Sequence, residues 1–296
     1  MRPSKGLFFS ALATTAMIAV PAASFASPRV TPIQGSMFRS SVRTDACNQA
    51  PPATRLGPQL APFALLAGTT ITNVGNSMVT YSPLATPTFT GTVRDDLVGV
   101  SPGTAITGFY PPGVDRDGVN AIYAAGYDGN RAVPAAAEAA LANVYSRTAG
   151  LTPTVLVSGD LSQAKVPGYP MGTLPPGIYK ANTTVGIMAG NLTLQGSGTL
   201  AVPSAFVFLI GTTLTTTGNG VLGGNVILTN GANACNIDWQ IGTSATLGGS
   251  TFNGNVFADT SITLGADNFI GRALAINGAV TLTGAGGTLI TNPGGR

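Results

Sequence analysis

The sequence has no histidine, only two cysteines, and a single glutamate, Glu138, among its 296 residues. A zinc site needs His or Cys ligands at short spacing, and neither a histidine nor a Cys-x-x-Cys pair occurs. Hydrolysis of glycosidic bonds uses two paired carboxylates, and a chain with one glutamate is poorly supplied with them. We therefore predict a protein that is not an enzyme and that holds no metal and no cofactor.

Charged residues are also scarce, at 8% of the chain, and they are unevenly distributed. The net charge of +3 arises in the first part of the sequence, where six of the 14 basic residues precede Leu56. From Leu56 onward there are 8 basic and 10 acidic residues, a net charge of −2. A surface that binds nucleic acid needs clustered basic residues. We therefore predict no nucleic-acid partner.

The first 26 residues are typical of a secretory signal peptide. Arg2 and Lys5 precede the apolar run LFFSALATTAMIAV, and the small residues Ser24 and Ala26 suit cleavage near Ala26. A membrane anchor fits less well, because a spanning helix needs about 20 apolar residues. We predict an exported, extracellular protein without a membrane partner.

Residues 27–55 show no hydrophobic periodicity and end near Pro51-Pro52, which predicts a loosely ordered N-terminal tail. From Leu56 the sequence changes to short alternating runs separated by Gly, Asn and Pro, a pattern typical of many brief strands. We predict one mostly β domain over residues 56–293.

Cys47 and Cys235 leave two possibilities open. Export exposes the chain to oxidising conditions, which permit a disulfide bridge between them. In the alternative, Cys235 is a small buried hydrophobic residue and Cys47 lies in the tail. The sequence alone does not fix the connectivity.

One segment departs from the strand-like pattern, since residues 133–150 are rich in alanine. Pro134 suits the first helical turn, and Gly150 suits the position that follows the last one. Apolar residues recur on one helical stripe at Ala137, Leu141, Val144 and Tyr145. We predict an amphipathic helix at about 133–149 that lies against a sheet.

A short phrase recurs in the C-terminal part of the chain. TSATLG at 243–248 returns as TSITLG at 260–265, seventeen residues later, and NGAV follows at 277–280 after another seventeen. A fixed short period in a strand-like sequence is typical of a solenoid, in which one circuit of the chain, a rung, buries its apolar side by stacking. Seventeen residues supply about three short strands with tight corners. The repeat predicts a parallel β-helix of triangular cross-section, with a chance repeat in a biased chain as the alternative.

Stacked phrases of this kind place their outward residues on a grid. Neighbouring strands lie about 4.7–4.9 Å apart, threonine is stiff about χ1, and the repeated phrases carry no charge. A flat, preorganised grid of methyl and hydroxyl groups is unsuited to catalysis, but it can order water into a lattice. The grid therefore points to a crystalline partner.

Six motifs, in order along the chain, resemble the DUF3494 family of ice-binding proteins. They are LGPQLAPFALLAGTTITN at 56–73, GVSPGTAITGF at 99–109, LPPGIYK at 174–180, AFVFLIGTTLTT at 205–216, ILTNGANACNIDWQIGTSATLG at 227–248 and GRALAINGAVTL at 271–282. The resemblance covers about residues 56–292. It implies a discontinuous right-handed β-helix with the 133–150 helix packed alongside and one flat face that adsorbs to ice. It also implies that an early strand, at about 63–73, inserts among later rungs.

The resemblance places the ice-contacting residues in the corners and strands of the C-terminal rungs. The first candidates are Thr243, Ser244, Thr246, Thr260, Ser261, Thr263, Asn277 and Thr281, and the second are Thr212, Thr215, Thr69 and Thr72. Threonine is favoured in any β-strand, so a purely structural role competes for each of them. The chain departs from the family pattern in a long link at 74–98 and in the NGAV rung, which lacks the Thr-small-x-Thr phrase.

The leading prediction is a monomeric, exported protein that binds ice and limits ice growth or recrystallisation. The alternative is a secreted adhesive or surface solenoid whose flat face binds glycan or another protein. A more remote alternative is a β-helix enzyme that acts on polysaccharide, which would need acidic and basic residues gathered in one groove.

Overall fold

Three parallel β-sheets wind around an apolar core in the computed structural model. The structure describes residues 47, 51–81, 97–109, 122–123, 132–198, 204–217, 223–284 and 286–294. The predicted signal peptide, most of the predicted tail and most of the 74–98 link lie outside the described residues. In the ranges given above, no helix is long and apolar enough to cross a membrane.

The described residues form two α-helices and 22 strands. The helices are α1 (Gly57–Leu60) and α2 (Ala132–Ala149). The strands are β1 (Phe63–Ala67), β2 (Thr70–Asn73), β3 (Met78–Tyr81), β4 (Leu97–Val100), β5 (Ala105–Thr107), β6 (Ile122–Tyr123), β7 (Val155–Leu156), β8 (Gly159–Asp160), β9 (Thr173–Leu174), β10 (Gly177–Ala181), β11 (Val185–Ile187), β12 (Leu192–Gln195), β13 (Phe206–Ile210), β14 (Leu214–Thr216), β15 (Val226–Thr229), β16 (Ile237–Ile241), β17 (Ala245–Leu247), β18 (Thr251–Ala258), β19 (Ile262–Leu264), β20 (Asn268–Ala275), β21 (Val280–Leu282) and β22 (Leu289–Asn292).

The strands stack into three faces. In spatial order, the first face contains β7, β10, β13, β16, the C-terminal halves of β18 and β20, β1, β4 and β6. The second face contains β8, β11, β14, β17, β19, β21, β2 and β5. The third face contains β9, β12, β15, the N-terminal halves of β18 and β20, β22 and β3.

Strands β18 and β20 continue from the third face into the first through a corner made by Gly254 and Gly271. Glycine suits this corner because Gly254 has a φ of +120°, which residues with a side chain rarely adopt. In addition, a Cβ on Gly271 would lie only 1.9 Å from the carbonyl oxygen of Gly254. The two backbones therefore approach more closely than any larger residue allows.

The strands define eight rungs, numbered from the end nearest β7, and β6 extends the first face beyond the eighth rung. Rungs 1 to 3 are β7–β8–β9, β10–β11–β12 and β13–β14–β15, and rungs 4 to 6 run from β16 through β22. Rung 7 is β1–β2–β3 and rung 8 is β4–β5. The predicted seventeen-residue period is confirmed on the first face of rungs 4 to 6, where Asp238 pairs with Asn255 and Asn255 with Arg272.

The early part of the chain sits at the far end of the solenoid. Strand β1 pairs with β20 on one side and with β4 on the other, and β2 lies in the same way between β21 and β5. The early strand was expected to insert among later rungs. It does so on the side of β20 and β21, but on its other side it pairs with β4 and β5, which follow it in the chain. The 74–98 link also supplies β3, which extends the third face beside β22.

Aromatic side chains stack along the core. The Tyr179 and Phe208 rings lie 5.2 Å apart, and the Phe208 and Trp239 rings 3.9 Å apart, both nearly parallel. These residues occupy equivalent inward positions in rungs 2, 3 and 4, because the strand register pairs them in sequence. Stacked aromatic rings bury a large apolar area in the core.

Helix α2 spans the predicted range and covers part of the first face. Its predicted stripe is confirmed, since Ala137, Leu141 and Val144 are buried against outward residues of the first face such as Phe257 and Leu274. Tyr145 completes the stripe, and its hydroxyl donates a hydrogen bond to the carbonyl oxygen of Ile241 over 3.1 Å. The outward side of this face is therefore used for internal packing.

A polar ladder crosses the same face beneath the N-terminal segment. Asn255 donates to a carboxylate oxygen of Asp238 over 3.1 Å, and Arg272 donates to the amide oxygen of Asn255 over 2.9 Å. The Nε of Arg272 also donates to the carbonyl oxygen of Ala61 over 2.9 Å. All three ladder side chains are fully buried. The ladder thus joins three successive rungs to the segment that enters the solenoid.

A disulfide bridge joins Cys47 to Cys235, which are 188 positions apart in the sequence. Cys235 is fully buried at the end of rung 3, so the bridge ties the chain ahead of α1 to the middle of the solenoid. Of the two possibilities that the sequence left open, the structure has the bridge.

We expect reduction of this bridge to lower the free energy of unfolding by up to about 4–5 kcal/mol, since loop-closure entropy is returned to the unfolded chain. Urea unfolding with and without reductant measures the effect, and Cys47→Ser should make the protein insensitive to reductant. Thiol titration of the unfolded, unreduced protein should find no free thiol. Two free thiols would contradict the bridge.

Burial raises the pKa of Glu138, on helix α2, from 4.5 to about 9. One of its carboxyl oxygens is buried, and no hydrogen-bond partner for it occurs among the described residues. The folded protein therefore keeps a proton that the unfolded chain releases. Because the folded pKa is the higher one, the free energy of unfolding falls as the pH rises from 4.5 towards about 9.

We expect Glu138→Gln to remove this part of the pH dependence, because a neutral amide needs no proton to remain buried. Urea unfolding at several values between about pH 5 and pH 8 tests this. The variant should gain stability over the wild type as the pH rises. If the free energy of unfolding depends on pH in the same way for the two proteins, then Glu138 does not change its protonation on folding.

Candidate functional site

The second face differs from the other two in its outward residues. Along each strand the aliphatic residues point into the core, as Ile262 and Leu264 do on β19, and the residue between them points outward. On this face the outward residue is threonine in rung after rung. The helices pack on the first face, whereas these threonines remain partly or fully exposed.

Six of these threonines stand in register and form what we call the threonine column. Strand pairing places them one above the other over rungs 3 to 8, in the order Thr215, Thr246, Thr263, Thr281, Thr72 and Thr107. Neighbouring members are one strand apart, about 4.7–4.9 Å. The column includes five sequence-predicted residues, and it joins the C-terminal rungs to rungs built from the N-terminal part of the chain.

A second row of small residues runs beside the column, two positions earlier in each rung, and it is polar except for Ala279 and Ala105. It contains the predicted Ser244 and Ser261, which serve partly to hold the rungs together. The hydroxyl of Ser244 accepts from the N–H of Ser261 over 3.3 Å, and the hydroxyl of Ser261 accepts from the N–H of Ala279 over 3.1 Å. These hydroxyls are therefore only partly available to a ligand.

The remaining predicted residues line the corner between the first and second faces. They are Thr69, Thr212, Thr243, Thr260 and Asn277. The backbone N–H of Thr243 donates to Thr212, and that of Thr260 donates to Thr243, so the corner is also stacked in register. Asn277 donates its amide N–H to a carboxylate oxygen of Asp259 over 3.2 Å. These side chains border the flat surface rather than occupying its centre.

The segment that begins at Asn277 keeps the threonine pattern of this face, although its sequence NGAV suggested that the pattern is lost there. From Thr263 to Thr281 the step is eighteen residues, because the corner at 276–279 holds one residue more than the corner before it. A corner lies outside the core and accommodates an insertion, while Val280 stays in register with Ile262 inside it. Seventeen-residue spacing was therefore wrong here, and Thr281 continues the column.

Sequence reasoning missed four threonines on this face. Thr107 ends the column in rung 8, and Thr70, Thr213 and Thr184 belong to the neighbouring row. A signal was present in the phrases TTIT at 69–72, TAIT at 104–107 and TTLT at 212–215, which share a threonine after an aliphatic residue. Their separation in the chain hides the phrases from any search for a fixed period.

The six segments that build rungs 3 to 8 of this face contain no charged residue. They are 69–74, 104–109, 212–217, 243–248, 260–265 and 277–283. Elsewhere in the described ranges, no group of three or more Cys, Asp or Glu side chains is placed to hold a metal ion. The face offers no paired acid and base for chemistry. It offers a rigid array of methyl and hydroxyl groups, since threonine side chains have few rotamers.

Comparison with known proteins identifies the family. The sequence model described as "Ice-binding-like" matches residues 65–287, which include part or all of every rung of the solenoid. The chain belongs to the ice-binding-like family. The DUF3494 resemblance and the predicted mostly β solenoid with one main helix are thereby confirmed.

Several ice-binding proteins are similar to this chain in sequence or in structure. An ice-binding protein of Nostoc sp. (strain HG1) is 38% identical over 82% of this chain and 76% of its own length. Ice-binding protein 1 of Shewanella frigidimarina (strain NCIMB 400) is 32% identical over 81% of this chain, which spans only 26% of that longer relative. The crystal structure of an ice-binding protein from an Antarctic biological consortium superposes with a TM-score of 0.62, at 32% identity, over 82% of this chain and 92% of that one.

Proposed function

We propose that this protein is exported, binds ice through the second face, and thereby limits the growth or recrystallisation of ice without catalysis. The observation that carries the proposal is the threonine column, which is six rungs long and lies on segments that contain no charged residue. Membership of the ice-binding-like family and similarity to the ice-binding proteins described above support it.

The physical basis is adsorption of an ordered surface to an ordered lattice. Single contacts between a threonine and ice are weak, because a hydroxyl exchanges one water neighbour for another. A rigid array makes all of its contacts together and loses little conformational entropy on binding, which is the benefit of preorganisation. Charged side chains would hold their own hydration water, and the second face has none in rungs 3 to 8.

The first and third faces fit this role less well. The first is covered by α2 and by the segment above the polar ladder. The third mixes threonine with larger outward residues such as Ile227, Ile270 and Leu289. The second face alone presents one residue type in register over six rungs of the described chain.

The proposal is tested with the protein purified from residue 27 onward. We expect it to shape growing ice crystals, to slow recrystallisation, and to partition into a slowly growing ice hemisphere. An adhesive solenoid would bind glycan arrays or cells and leave ice unaffected. Unshaped crystals and exclusion from the hemisphere would overturn the proposal.

A further inference from the structure

The threonine column stops abruptly at rung 2. Gly186 on β11 pairs in register with Thr215, so it occupies the next place in the column. The sequence before it matches the other rungs, since TTVG at 183–186 aligns with TTLT at 212–215 and TTIT at 69–72. A single residue interrupts a rung that otherwise follows the pattern of this face.

The place of the missing side chain is occupied by Met188. A Cβ added to Gly186 would lie 2.8 Å from the Cγ and 2.9 Å from the Sδ of Met188. The thioether therefore folds back over Gly186, which is buried beneath it, while half of the Met188 side chain remains exposed. A flexible apolar side chain thus stands where the other rungs present a short, rigid threonine.

The backbone that carries Met188 is fixed by Asp160 of rung 1. One carboxylate oxygen of Asp160 accepts from the N–H of Met188 over 3.1 Å, and the other accepts from the N–H of Ala189 over 2.8 Å. Ser162 donates to the same carboxylate through its N–H and its hydroxyl. Burial alone would raise the pKa of Asp160, but these hydrogen bonds outweigh it and hold the pKa below its ordinary value.

We propose that Met188 sets the boundary of the ice-contacting face, by covering Gly186 and holding the ice surface away from rung 2. This inference rests on the proposed function of the second face. A half-exposed side chain above a flat array prevents close approach around it, so the face that meets ice extends from Thr215 to Thr107. The length of the column is then a property that two residues control.

The local backbone permits the face to be extended. The φ angle of Gly186 is not positive, so its backbone conformation does not require glycine. After the two Met188 atoms, the nearest atom to a Cβ there would be the carbonyl oxygen of Thr215 at 3.5 Å, an ordinary contact. The clash of a Cβ at this position is therefore with the Met188 side chain, and shortening that side chain removes it. The double variant Gly186→Thr/Met188→Ala would give rung 2 the phrase TTVTIA.

The experiment compares thermal hysteresis, the gap between melting and freezing points in the presence of ice, at equal molar concentrations. We expect the double variant to widen the gap, by an amount similar to the narrowing that Thr215→Gly produces at the other side of the boundary. Met188→Ala alone, which disturbs the strand least, should give a smaller gain. Met188→Leu keeps a bulky apolar side chain over Gly186 and should retain the wild-type gap.

Unfolding midpoints of all four variants show whether the fold is intact. If Met188→Ala and the double variant are both folded and neither widens the gap, the boundary proposal is wrong. If the double variant does not fold, the single variant decides by the same criterion. A wild-type protein without any hysteresis would instead overturn the proposed function, so the two failures are distinguishable.

Discussion

Thr263→Tyr is expected to abolish most of the ice-shaping and recrystallisation inhibition while leaving the unfolding midpoint nearly unchanged. Thr263 lies within the threonine column, between Thr246 and Thr281. A tyrosine ring there would stand above the plane and separate several neighbouring threonines from the ice lattice. A loss of only about 1.4 kcal/mol in adsorption free energy corresponds to tenfold weaker binding, and we expect at least about that loss.

The stability of the Thr263→Tyr variant should change by no more than about 0.5 kcal/mol, since the side chain points outward. Thr229→Tyr is the matched control, because Thr229 is exposed on the third face. It introduces the same ring and should retain wild-type ice shaping. Full activity in Thr263→Tyr, or an equal loss in Thr229→Tyr, would show that the second face is not the one that meets ice.

The same substitution at the adjacent Leu264 is expected to lower stability. Leu264 is fully buried and points into the core beside Leu247 and Leu282. Leu264→Tyr should therefore destabilise the fold by overpacking, at a cost of about 1–3 kcal/mol or more for so large an addition. Urea unfolding measures this change. Together the two variants separate a contact with ice from a contact within the core.

Among the substitutions within the solenoid, removal of Arg272 is expected to cause a large loss of stability. Its guanidinium is fully buried and donates to Asn255 and to the carbonyl oxygen of Ala61. Deleting one member of a buried charge network costs about 3–5 kcal/mol. Here Asp238, which is linked to Arg272 through Asn255, would stay buried without the positive charge. We expect Arg272→Met to lower the free energy of unfolding by about this amount, as measured by urea unfolding.

A second substitution shows whether the loss comes from charge or from packing. Asp238→Asn removes the opposite charge and keeps the shape of the side chain. The double variant Asp238→Asn/Arg272→Met should be more stable than Arg272→Met alone, since no unpaired charge remains in it. If the two substitutions simply add, the ladder contributes packing and backbone hydrogen bonds only.

The sequence predicted the parts of this protein that depend on local pattern. Helix α2 was found because its alanines, its Pro134 and its apolar stripe are all within 18 residues of one another. Rungs 4 and 5 were found because an exact step of seventeen residues repeats the same inward and outward positions. In both cases the residues that interact in space are also regularly spaced in the chain.

Other features depend on contacts that local pattern does not report. The eighteen-residue step to Thr281 shows that strands keep register through their inward residues, while a corner absorbs an additional one. The disulfide joins residues 188 positions apart, and the hydrogen bond from Arg272 to Ala61 joins residues 211 positions apart. Contacts at such separations produce no periodic pattern in the sequence.

By itself the sequence determined a mostly β solenoid with one helix and an uncharged, threonine-rich surface, since each of these follows from composition and short-range spacing. Only the tertiary structure decided how that surface is completed. It placed Thr72 and Thr107 beyond Thr281, because the N-terminal rungs stack on the exposed end of the C-terminal ones. It also placed Met188 over Gly186. Both ends of the column depend on which strands are neighbours, and strand neighbours are set by burial of the shared core.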